Sequence, residues 1–401
     1  MRRIFSVCQE ALGSGVITLG AALMLSFSAQ AGSSQSDARG DRVISAMTER
    51  LCTTDGTWAR GPLGKRLRAS CRERPIFGDK HQGGTAAASL RLASSLGGDG
   101  AVLRRMRLAF FAGTAMDLIA YSSDGLAVGG LLCYPDDGGS HPGVIHVHGG
   151  FSGIFDGSNH DSVQLCADLA SRHGVTAFMP SLRGRDGGEG TPELCLGEAR
   201  DVAAAATMLR DLEVTDPMRL ALMGGSIGGC VALKASGSIP DLSAVVAFVP
   251  PTDWKRFVVF HRDGYQPATE VLCDGSERAW NVGGTAMADV MDLAICGYSG
   301  CPDAAYDARS PLPALLQQNV PTMIVSAGAD NIVPVDQQLL WSILRQQAGV
   351  PTQVIIRNPC DPPEELSAPM DVHLYIVGGF HLLSPGSISS GFLFAFRHLG
   401  L

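Results

Sequence analysis

The sequence lacks the features that usually bind nucleic acid, a membrane or a structural metal. It has no run of basic residues and carries a formal net charge of −8, whereas nucleic-acid binding needs clustered Lys and Arg. Beyond the N-terminus no segment is apolar over the roughly 20 residues that a membrane span requires. No CxxC pair or histidine cluster has zinc-site spacing. We therefore expect a mature protein without nucleic-acid or membrane partners and without a metal.

The N-terminus has the pattern of an export signal. Arg2 and Arg3 precede the apolar stretch "VITLGAALMLSFSA", which is short for a membrane span. Small residues at Ala29 and Ala31 then occupy the positions that a signal peptidase reads. We interpret residues 1–31 as a cleaved signal peptide, with an uncleaved anchor as the alternative. The pattern predicts a soluble periplasmic or extracellular protein, and Sec and twin-arginine export both remain open.

Cysteine usage agrees with export. The chain has eleven cysteines, and removing Cys8 with the signal leaves ten. An even number in an oxidising compartment favours disulfides. Cys230, beside a glycine cluster, is expected to be a buried thiol that packs as a small hydrophobic residue. Close spacing favours two pairs, Cys52 with Cys71 and Cys296 with Cys301.

The rhythm of the sequence changes near residue 105. Residues 32–104 are polar and weakly periodic, which predicts an irregular N-terminal extension. "LRRMRLAFFAG", "MDLIAYSS" and "LAVGGLLCYP" then indicate an antiparallel meander. Short apolar runs alternate with helical stretches from there on, which is typical of an α/β domain with a mostly parallel central sheet flanked by helices, over residues 105–401. Residues 251–320 exceed a simple crossover and predict a cap insertion.

A glycine-rich stretch, "RLALMGGSIGGCVALKA", surrounds Ser226. Gly224 and Gly228 flank the serine in a GxSxG pattern that follows a predicted strand and opens a predicted helix. This is the context of a nucleophile elbow, and the N–H of Ile227 at the helix start is suited to an oxyanion. A phosphate loop needs a lysine that does not follow, and the spacing differs from a dinucleotide fingerprint. Tight helix–sheet packing is the remaining alternative.

A serine nucleophile needs a base and an acid that orients the base. Asp330 follows the predicted strand in "TMIVSAGADNIVP", and His381 follows the last one in "VHLYIVGGFHLL". Each taken alone is explained by a turn aspartate or a loop histidine. Together they follow Ser226 in the order serine, acid, histidine, which favours a catalytic triad.

A second glycine turn precedes these residues, in "VIHVHGGFSG". Backbone N–H groups at Gly150 and Phe151 are expected to form the second half of an oxyanion hole with Ile227. A tight turn without a catalytic role is the alternative.

Seven blocks together resemble the catalytic domain of the prolyl oligopeptidase family, within the α/β-hydrolase superfamily and close to dienelactone hydrolase-like esterases. They are "YSSDGLAVGGLLCYP", "HVHGGF", "PSLRGRDGGEG", "RDVAAAATMLRD", "LALMGGSIGG", "SPLPALLQQNVPTMIVSAGADNIVP" and "GGFH". The resemblance covers residues 105–401 and implies an α/β-hydrolase fold. It also implies Ser226 as nucleophile, His381 as general base and then acid, and Asp330 as the group that orients His381.

The chain departs from that family in three places. Residues 32–104 stand where full-length members carry a β-propeller, and His148 stands where the oxyanion loop of prolyl oligopeptidases has a tyrosine. Glu364 and Glu365 are expected to form a solvated turn and not a grip for a peptide amine. We therefore predict a secreted serine hydrolase of carboxylic esters that needs no cofactor. A short-peptide hydrolase and a non-catalytic binding protein on the same fold are the alternatives.

Two further groups of residues are candidate substrate contacts. For the charged residues of "PSLRGRDGGEG" a structural role in the loop is favoured, and these residues are Arg183, Arg185, Asp186 and Glu189. Asp253, Trp254 and His261 lie in the predicted cap, where pocket-lining positions are the hypothesis. Neither group identifies the substrate, and the oligomeric state is left open.

Overall fold

The computed structural model describes residues 38–53, 62–73, 98–155, 161–298, 300–363 and 370–401. The predicted signal peptide, residues 1–31, lies outside these ranges, as do Glu364 and Glu365. In the part of the chain that is described, no helix is both long and apolar enough to cross a membrane.

The central sheet opens with the predicted antiparallel meander, formed by β1 (Val102–Phe111), β2 (Thr114–Ser123) and β3 (Leu126–Pro135). The two turns, Ala112-Gly113 and Asp124-Gly125, have positive φ at both residues. Such two-residue turns match the right-handed twist of the paired strands. The catalytic domain was expected to begin at residue 105, but this residue lies inside β1, which begins at Val102.

Nine further strands follow the meander. They are β4 (His141–Val147), β5 (Thr176–Pro180), β6 (Thr215–Gly225), β7 (Ala244–Phe248), β8 (Ala268–Val271), β9 (Glu277–Trp280), β10 (Thr322–Ala327), β11 (Thr352–Arg357) and β12 (Asp371–Ile376). The main sheet has the order β1-β2-β3-β5-β4-β6-β7-β10-β12-β11, and its strands are parallel from β5 onward. β8 and β9 form a separate antiparallel hairpin. The mostly parallel sheet predicted from the apolar runs is confirmed.

Helices cover both faces of the sheet. They are α1 (residues 38–53), α2 (Pro62–Glu73), α3 (Asp161–His173), α4 (Gly197–Asp211), α5 (Ile227–Ser236), α6 (Trp254–Val259), α7 (Thr285–Cys296), α8 (Asp303–Asp307), α9 (Leu312–Leu315), α10 (Asp336–Gln347) and α11 (Pro385–His398). Successive strand residues face opposite cores: Leu222 packs with α4 and α5, and Met223 packs with α3 and α11. Burial on both faces explains the nearly continuous apolar runs of these strands.

The expectation of an irregular N-terminal extension is wrong for residues 38–53 and 62–73, which are helical. Val43, Met47 and Leu51 recur every four positions on α1 and are buried on the same face of the sheet as α3. With Ile44 buried beside Val43, this stripe has only one or two residues per turn, so polar neighbours dominate the composition and conceal the helical period. The predicted Cys52–Cys71 disulfide is confirmed and joins α1 to α2.

Between β7 and β10 the chain forms the insertion expected from its length. It contains α6, a π-helical turn (Phe260–Gly264), the β8–β9 hairpin, α7, α8 and α9. Two disulfides lie in or leave this segment: the predicted Cys296–Cys301, which is confirmed, and Cys273–Cys360.

Candidate active site

Ser226 occupies a sharp turn between β6 and α5. Its backbone has φ 53° and ψ −126°, a positive φ that non-glycine residues adopt only when their surroundings enforce it. The Ser226 N–H donates to the Phe248 carbonyl of neighbouring β7 at 2.7 Å. The turn is therefore held from both sides, by the strand before it and the strand beside it.

Close backbone approach explains the glycines around this serine. A Cβ on Gly224 would lie 2.3 Å from the Gly228 carbonyl oxygen, and one on Gly228 would lie 2.3 Å from the Val147 and His148 carbonyl oxygens. These distances are far inside van der Waals contact. Gly225, in contrast, has no heavy atom within 4 Å of such a Cβ. Two of the glycines thus make room for the turn, while Gly225 faces open space.

The structure brings Ser226, His381 and Asp330 together from three separate loops. His381 Nε2 lies 2.9 Å from Ser226 Oγ, and His381 Nδ1 lies 2.8 Å from Asp330 Oδ2. The Asp330 side chain is 1% exposed and that of His381 is 11% exposed. The three residues named from the sequence therefore form one continuous hydrogen-bonded chain, with the serine at its accessible end.

The carboxylate of Asp330 is oriented by its own turn. Its Oδ1 accepts hydrogen bonds from the backbone N–H groups of Ile332 and Val333, at 2.8 and 2.9 Å. This leaves Oδ2 directed at His381. Because one oxygen is saturated by the backbone, the carboxylate has a single orientation towards the imidazole.

The turn after β10 and the loop after β12 (residues 377–384) are joined by backbone hydrogen bonds. The Gly328 N–H donates to the Ile376 carbonyl, and the Ala329 N–H donates to the Gly379 carbonyl. β10 and β12 are parallel neighbours, so the segments that carry Asp330 and His381 emerge from the same edge of the sheet.

The loop after β4 (residues 148–155, called the β4 loop) lies beside the nucleophile. β4 pairs with β6 in parallel, with Val147 opposite Gly224. A Cβ on Gly149 would come within 3.4 Å of the Ser226 Cβ, Gly150 has φ +70°, and the Phe151 side chain is half-exposed. The segment predicted to supply the second oxyanion donor is thus next to Ser226, and its role as a donor remains a prediction.

His148 begins the β4 loop but points into the protein. Its side chain is buried, and its Nδ1 lies 3.0 Å from the Gly149 carbonyl oxygen. Burial lowers the pKa of His148 to about 4, because desolvation disfavours the charged imidazole. The imidazole is therefore neutral at physiological pH.

The charged residues of the loop after β5 (residues 181–196, called the β5 loop) have structural partners. Arg183 pairs with Asp201 and Glu193, and Glu189 pairs with Arg39 of α1. Arg185 and Asp186 lie against the β4 loop instead. These contacts fit the structural role that is favoured from the sequence.

The three insertion residues that were candidates for lining the pocket each have structural contacts. Asp253 caps α6 by accepting from the Arg256 N–H, and Trp254 is completely buried. His261 is 1% exposed, and its Nε2 lies 2.8 Å from the Ile332 carbonyl oxygen in the Asp330 turn. The sequence did not reveal this last contact, because a residue of the insertion reaches the turn only after the chain has folded.

The insertion also contacts the segments that carry His381 and Asp330. Trp280 of β9 stacks on Phe380, with ring centroids 6.1 Å apart and planes 11° apart. Asn331 Nδ2 donates to the Trp280 carbonyl at 3.2 Å. A cavity of about 350 Å³ lies between the hairpin and the loop after β12, with Glu270, Arg278, Phe380 and Leu382 in its wall.

The expectation that Cys230 is a free thiol is wrong, since Cys230 forms a disulfide with Cys195. The bond joins the first turns of α5 to the β5 loop, where Leu194 and Cys195 both have positive φ. The sequence separation of 35 residues concealed the pair, because the two segments meet only where α4 and α5 pack on the same face.

Among the described residues, no group of three or more His, Cys, Asp or Glu side chains could hold a metal ion. The described chain shows the chemistry of a serine, a histidine and a carboxylate at one edge of a parallel sheet. The described chain has the α/β-hydrolase fold, and these three residues lie at that edge of its sheet.

Comparison with known proteins agrees with this assignment. Residues 167–281 match the model of the prolyl oligopeptidase family. The chain is 28% identical over 115 residues to the uncharacterized peptidase YtmA of Bacillus subtilis, covering 29% of this chain and 43% of the relative. It is 29% identical over 133 residues to an uncharacterized protein of Mycobacterium tuberculosis, covering 32% of this chain and 44% of the relative. The chain thus matches less than half the length of these curated relatives.

Two solved structures share the fold. One is a puromycin-hydrolyzing peptidase of Mycobacterium tuberculosis, with a TM-score of 0.51 and 20% identity over 74% of this chain and 41% of the other. The second is acetyl xylan esterase 1 of Thermoanaerobacterium sp. JW/SL YS485, with a TM-score of 0.50 and 12% identity over 74% of this chain and 87% of the other.

Proposed function

We propose that this protein is a serine hydrolase that transfers an acyl group to water through an acyl-enzyme on Ser226. The observation that carries the proposal is the pair of hydrogen-bond distances, 2.9 Å from Ser226 Oγ to His381 Nε2 and 2.8 Å from His381 Nδ1 to Asp330 Oδ2. A serine hydroxyl is a weak nucleophile until an adjacent base removes its proton. This geometry supports His381 as that base and Asp330 as the acid that orients it.

The reaction proceeds in two halves. Ser226 Oγ attacks the substrate carbonyl carbon while His381 Nε2 accepts the hydroxyl proton, and Asp330 stabilises the resulting imidazolium. The tetrahedral intermediate collapses as His381 returns the proton to the leaving alcohol. A water molecule, deprotonated by His381, then attacks the acyl carbon and releases the carboxylic acid, which regenerates Ser226.

The oxyanion of each tetrahedral intermediate is held by backbone N–H groups. Ile227 opens α5, and the first N–H groups of a helix have no partner within the helix. We assign the second donor to the turn at Gly150 and Phe151, which follows Gly149, the residue next to Ser226. Donors of this kind act strongly because they are already oriented before the charge develops.

We propose a carboxylic ester as the substrate class and residues 251–320 as a cap over the site. Insertion residues contact both the Asp330 turn and the loop that carries His381, through His261 and Trp280. Such cover favours small or medium-sized substrates. A short peptide is the second candidate, favoured by the match of residues 167–281 to the prolyl oligopeptidase family.

Labelling with a fluorophosphonate tests the proposed nucleophile. We expect one label per wild-type molecule, none on Ser226→Ala, and a loss of turnover on the order of 10⁶-fold in that variant. Ser238→Ala is the matched control, because Ser238 is exposed just beyond the end of the same helix and should label normally. A folded wild-type protein that takes no label would support the non-catalytic binding alternative.

A comparison of leaving groups separates the two substrate classes. We expect kcat/KM for p-nitrophenyl esters of short acids to exceed that for aminoacyl p-nitroanilides. Higher turnover of the anilides would assign the protein to the peptidases.

We also propose that the protein is exported to an oxidising compartment. The five disulfides among the described residues support this, since such bonds persist outside a reducing cytoplasm. Intact-mass measurement after expression with export is expected to show cleavage after residue 31. Full-length protein retained in the cytoplasm would contradict the proposal.

A further inference from the structure

We propose that Arg185 is a positioning residue that holds the β4 loop in the geometry required for oxyanion binding. The inference rests on the proposed function, because it concerns the same reaction. Arg185 donates to the backbone of the β4 loop, whereas the hydroxyl of Ser226 pairs with His381. Arg185 therefore acts on the reaction through the loop that carries Gly150 and Phe151.

The guanidinium of Arg185 is buried and directed at this loop. The side chain is 5% exposed, and its Nε–H donates to the Phe151 carbonyl oxygen at 3.1 Å. Its Nη2 lies 3.5 Å from Glu198 Oε1 on α4. Within the described residues, both Nη1 and Nη2 lack a hydrogen-bond partner. The ion pair with Glu198 holds the guanidinium on the α4 side, while its Nε–H binds the β4 loop.

Asp186 reinforces the contact from the next position. Its Oδ2 accepts from the Ile154 N–H at 2.7 Å, and the backbone of Phe155 also donates to the carboxylate. A Cβ on Gly153 would lie 2.0 Å from this oxygen, so the loop backbone rests directly on the carboxylate. Two consecutive charged residues of the β5 loop therefore hold the β4 loop at both ends of its central segment.

The β4 loop needs such an external restraint. It contains Gly149, Gly150 and Gly153, and glycine permits backbone conformations that other residues exclude. Oxyanion donors are effective only when they are fixed at about 2.7–3.1 Å from the developing charge. A donor carried by a glycine-rich turn must therefore be fixed by side chains outside the turn, and Arg185 meets this requirement at the carbonyl of Phe151.

The β5 loop is itself fixed from the opposite side. Glu189 pairs with Arg39 of α1. A Cβ on Gly187 would lie 2.2 Å from the Ala46 Cβ, so α1 packs closely on this loop. The restraint on the β4 loop thus extends through the β5 loop to the N-terminal helices.

Substitution of Arg185 tests the inference. Arg185→Met removes the donors and the charge at similar length, and Arg185→Lys keeps the charge without the donor at the Nε position. Arg183→Met is the matched control, since Arg183 is an equally buried arginine of the same loop whose ion-pair partners lie away from the β4 loop. We would measure kcat, KM, the thermal midpoint and the affinity for a trifluoromethyl ketone, which forms a tetrahedral oxyanion with the serine.

For Arg185→Met we expect kcat to fall on the order of 10- to 100-fold, less than the loss of a whole oxyanion donor, with KM nearly unchanged. Affinity for the trifluoromethyl ketone should fall in parallel, and Arg185→Lys should be intermediate. Arg183→Met should lower the thermal midpoint while the folded protein keeps its kcat.

Wild-type kcat and ketone affinity in folded Arg185→Met would overturn the inference. If that variant does not fold, wild-type values in folded Arg185→Lys would do the same, as would equal losses of kcat in the Arg183 and Arg185 variants. Absence of Ser226-dependent turnover in the wild-type protein would instead reject the proposed function. The two failures are therefore distinguishable.

Discussion

Cys230 lies one helical turn beyond Ser226 and is covalently bound to Cys195. The bond ties the nucleophile helix to the β5 loop, which also contacts the β4 loop through Arg185. The β5 loop thereby links α5 to the β4 loop. A disulfide joins it to α5, and the Arg185 hydrogen bond joins it to the β4 loop.

Removal of this disulfide is expected to destabilise the protein measurably. Cys195→Ala with Cys230→Ala opens a loop of 35 residues, which in the chain-entropy model lowers the free energy of unfolding by about 4 kcal/mol. Cys296→Ala with Cys301→Ala opens a loop of 5 residues and should cost about 2 kcal/mol. Denaturant unfolding measures both, and a larger loss for the short loop would contradict the model.

Replacement of Gly228 by alanine is expected to disrupt the nucleophile turn. The new methyl group would meet two carbonyl oxygens at 2.3 Å, so either β4 or α5 must move. We expect a drop in free energy of unfolding of about 3 kcal/mol or more, by analogy with overpacked sites. Gly225→Ala is the control, because its methyl group would enter open space. Equal thermal midpoints for the two variants would show that the packing argument is wrong.

Asp330→Asn is expected to lower kcat by about 10⁴-fold, because an amide no longer fixes the productive tautomer of His381 or stabilises its cation. The amide oxygen still accepts from the Ile332 and Val333 N–H groups, so the thermal midpoint should change little. Asp336→Asn alters an exposed carboxylate that pairs with Arg256 and should leave kcat unchanged. Near-normal kcat in Asp330→Asn would identify another acid.

His261→Phe is expected to loosen the Asp330 turn. The imidazole bridges the Gly284 N–H and the Ile332 carbonyl, and a phenyl ring removes both of these hydrogen bonds. Small misplacements of catalytic groups lower rates by up to about 100-fold, so we expect kcat to fall by about 10-fold or more. His261→Gln keeps a donor and should lose less. Comparison of kcat with the thermal midpoint separates positioning from general instability, and full kcat in the phenylalanine variant would exclude a positioning role.

Acid is expected to destabilise the fold between pH 6.5 and pH 4. Burial lowers the pKa of His148 and of His373 from 6.5 to about 4, so the unfolded chain binds more protons than the native protein in that window. The stability that these neutral histidines allow is fully present above pH 6.5 and is lost as the pH falls towards 4. Each contributes up to about 3 kcal/mol.

Urea unfolding at successive pH values measures this dependence. His373→Gln removes one titrating group and should flatten the pH dependence between pH 6.5 and 4, whatever its effect at pH 8. If the free energy of unfolding of that variant changes with pH as steeply as in the wild type, His373 does not contribute to the acid sensitivity.

The meander, the parallel strands and the insertion were predictable from the sequence, because their signals are local. Continuous apolar runs of strand length mark burial on both faces, and turn residues such as Asp124-Gly125 separate them. The candidate triad was also predictable, since Ser226, Asp330 and His381 each follow such a strand, and parallel strands end at one edge.

Contacts between distant segments were decided only by the tertiary structure. Three such contacts are the Cys195–Cys230 bond, the His261 contact with the Asp330 turn and the Arg185 contact with Phe151. In each case the local sequence around one residue does not indicate which distant residue it contacts. The same holds for α1, whose narrow apolar stripe becomes interpretable only against the sheet. Local sequence determines strands and turns through backbone sterics and periodicity, whereas these contacts depend on which faces meet when the layers pack.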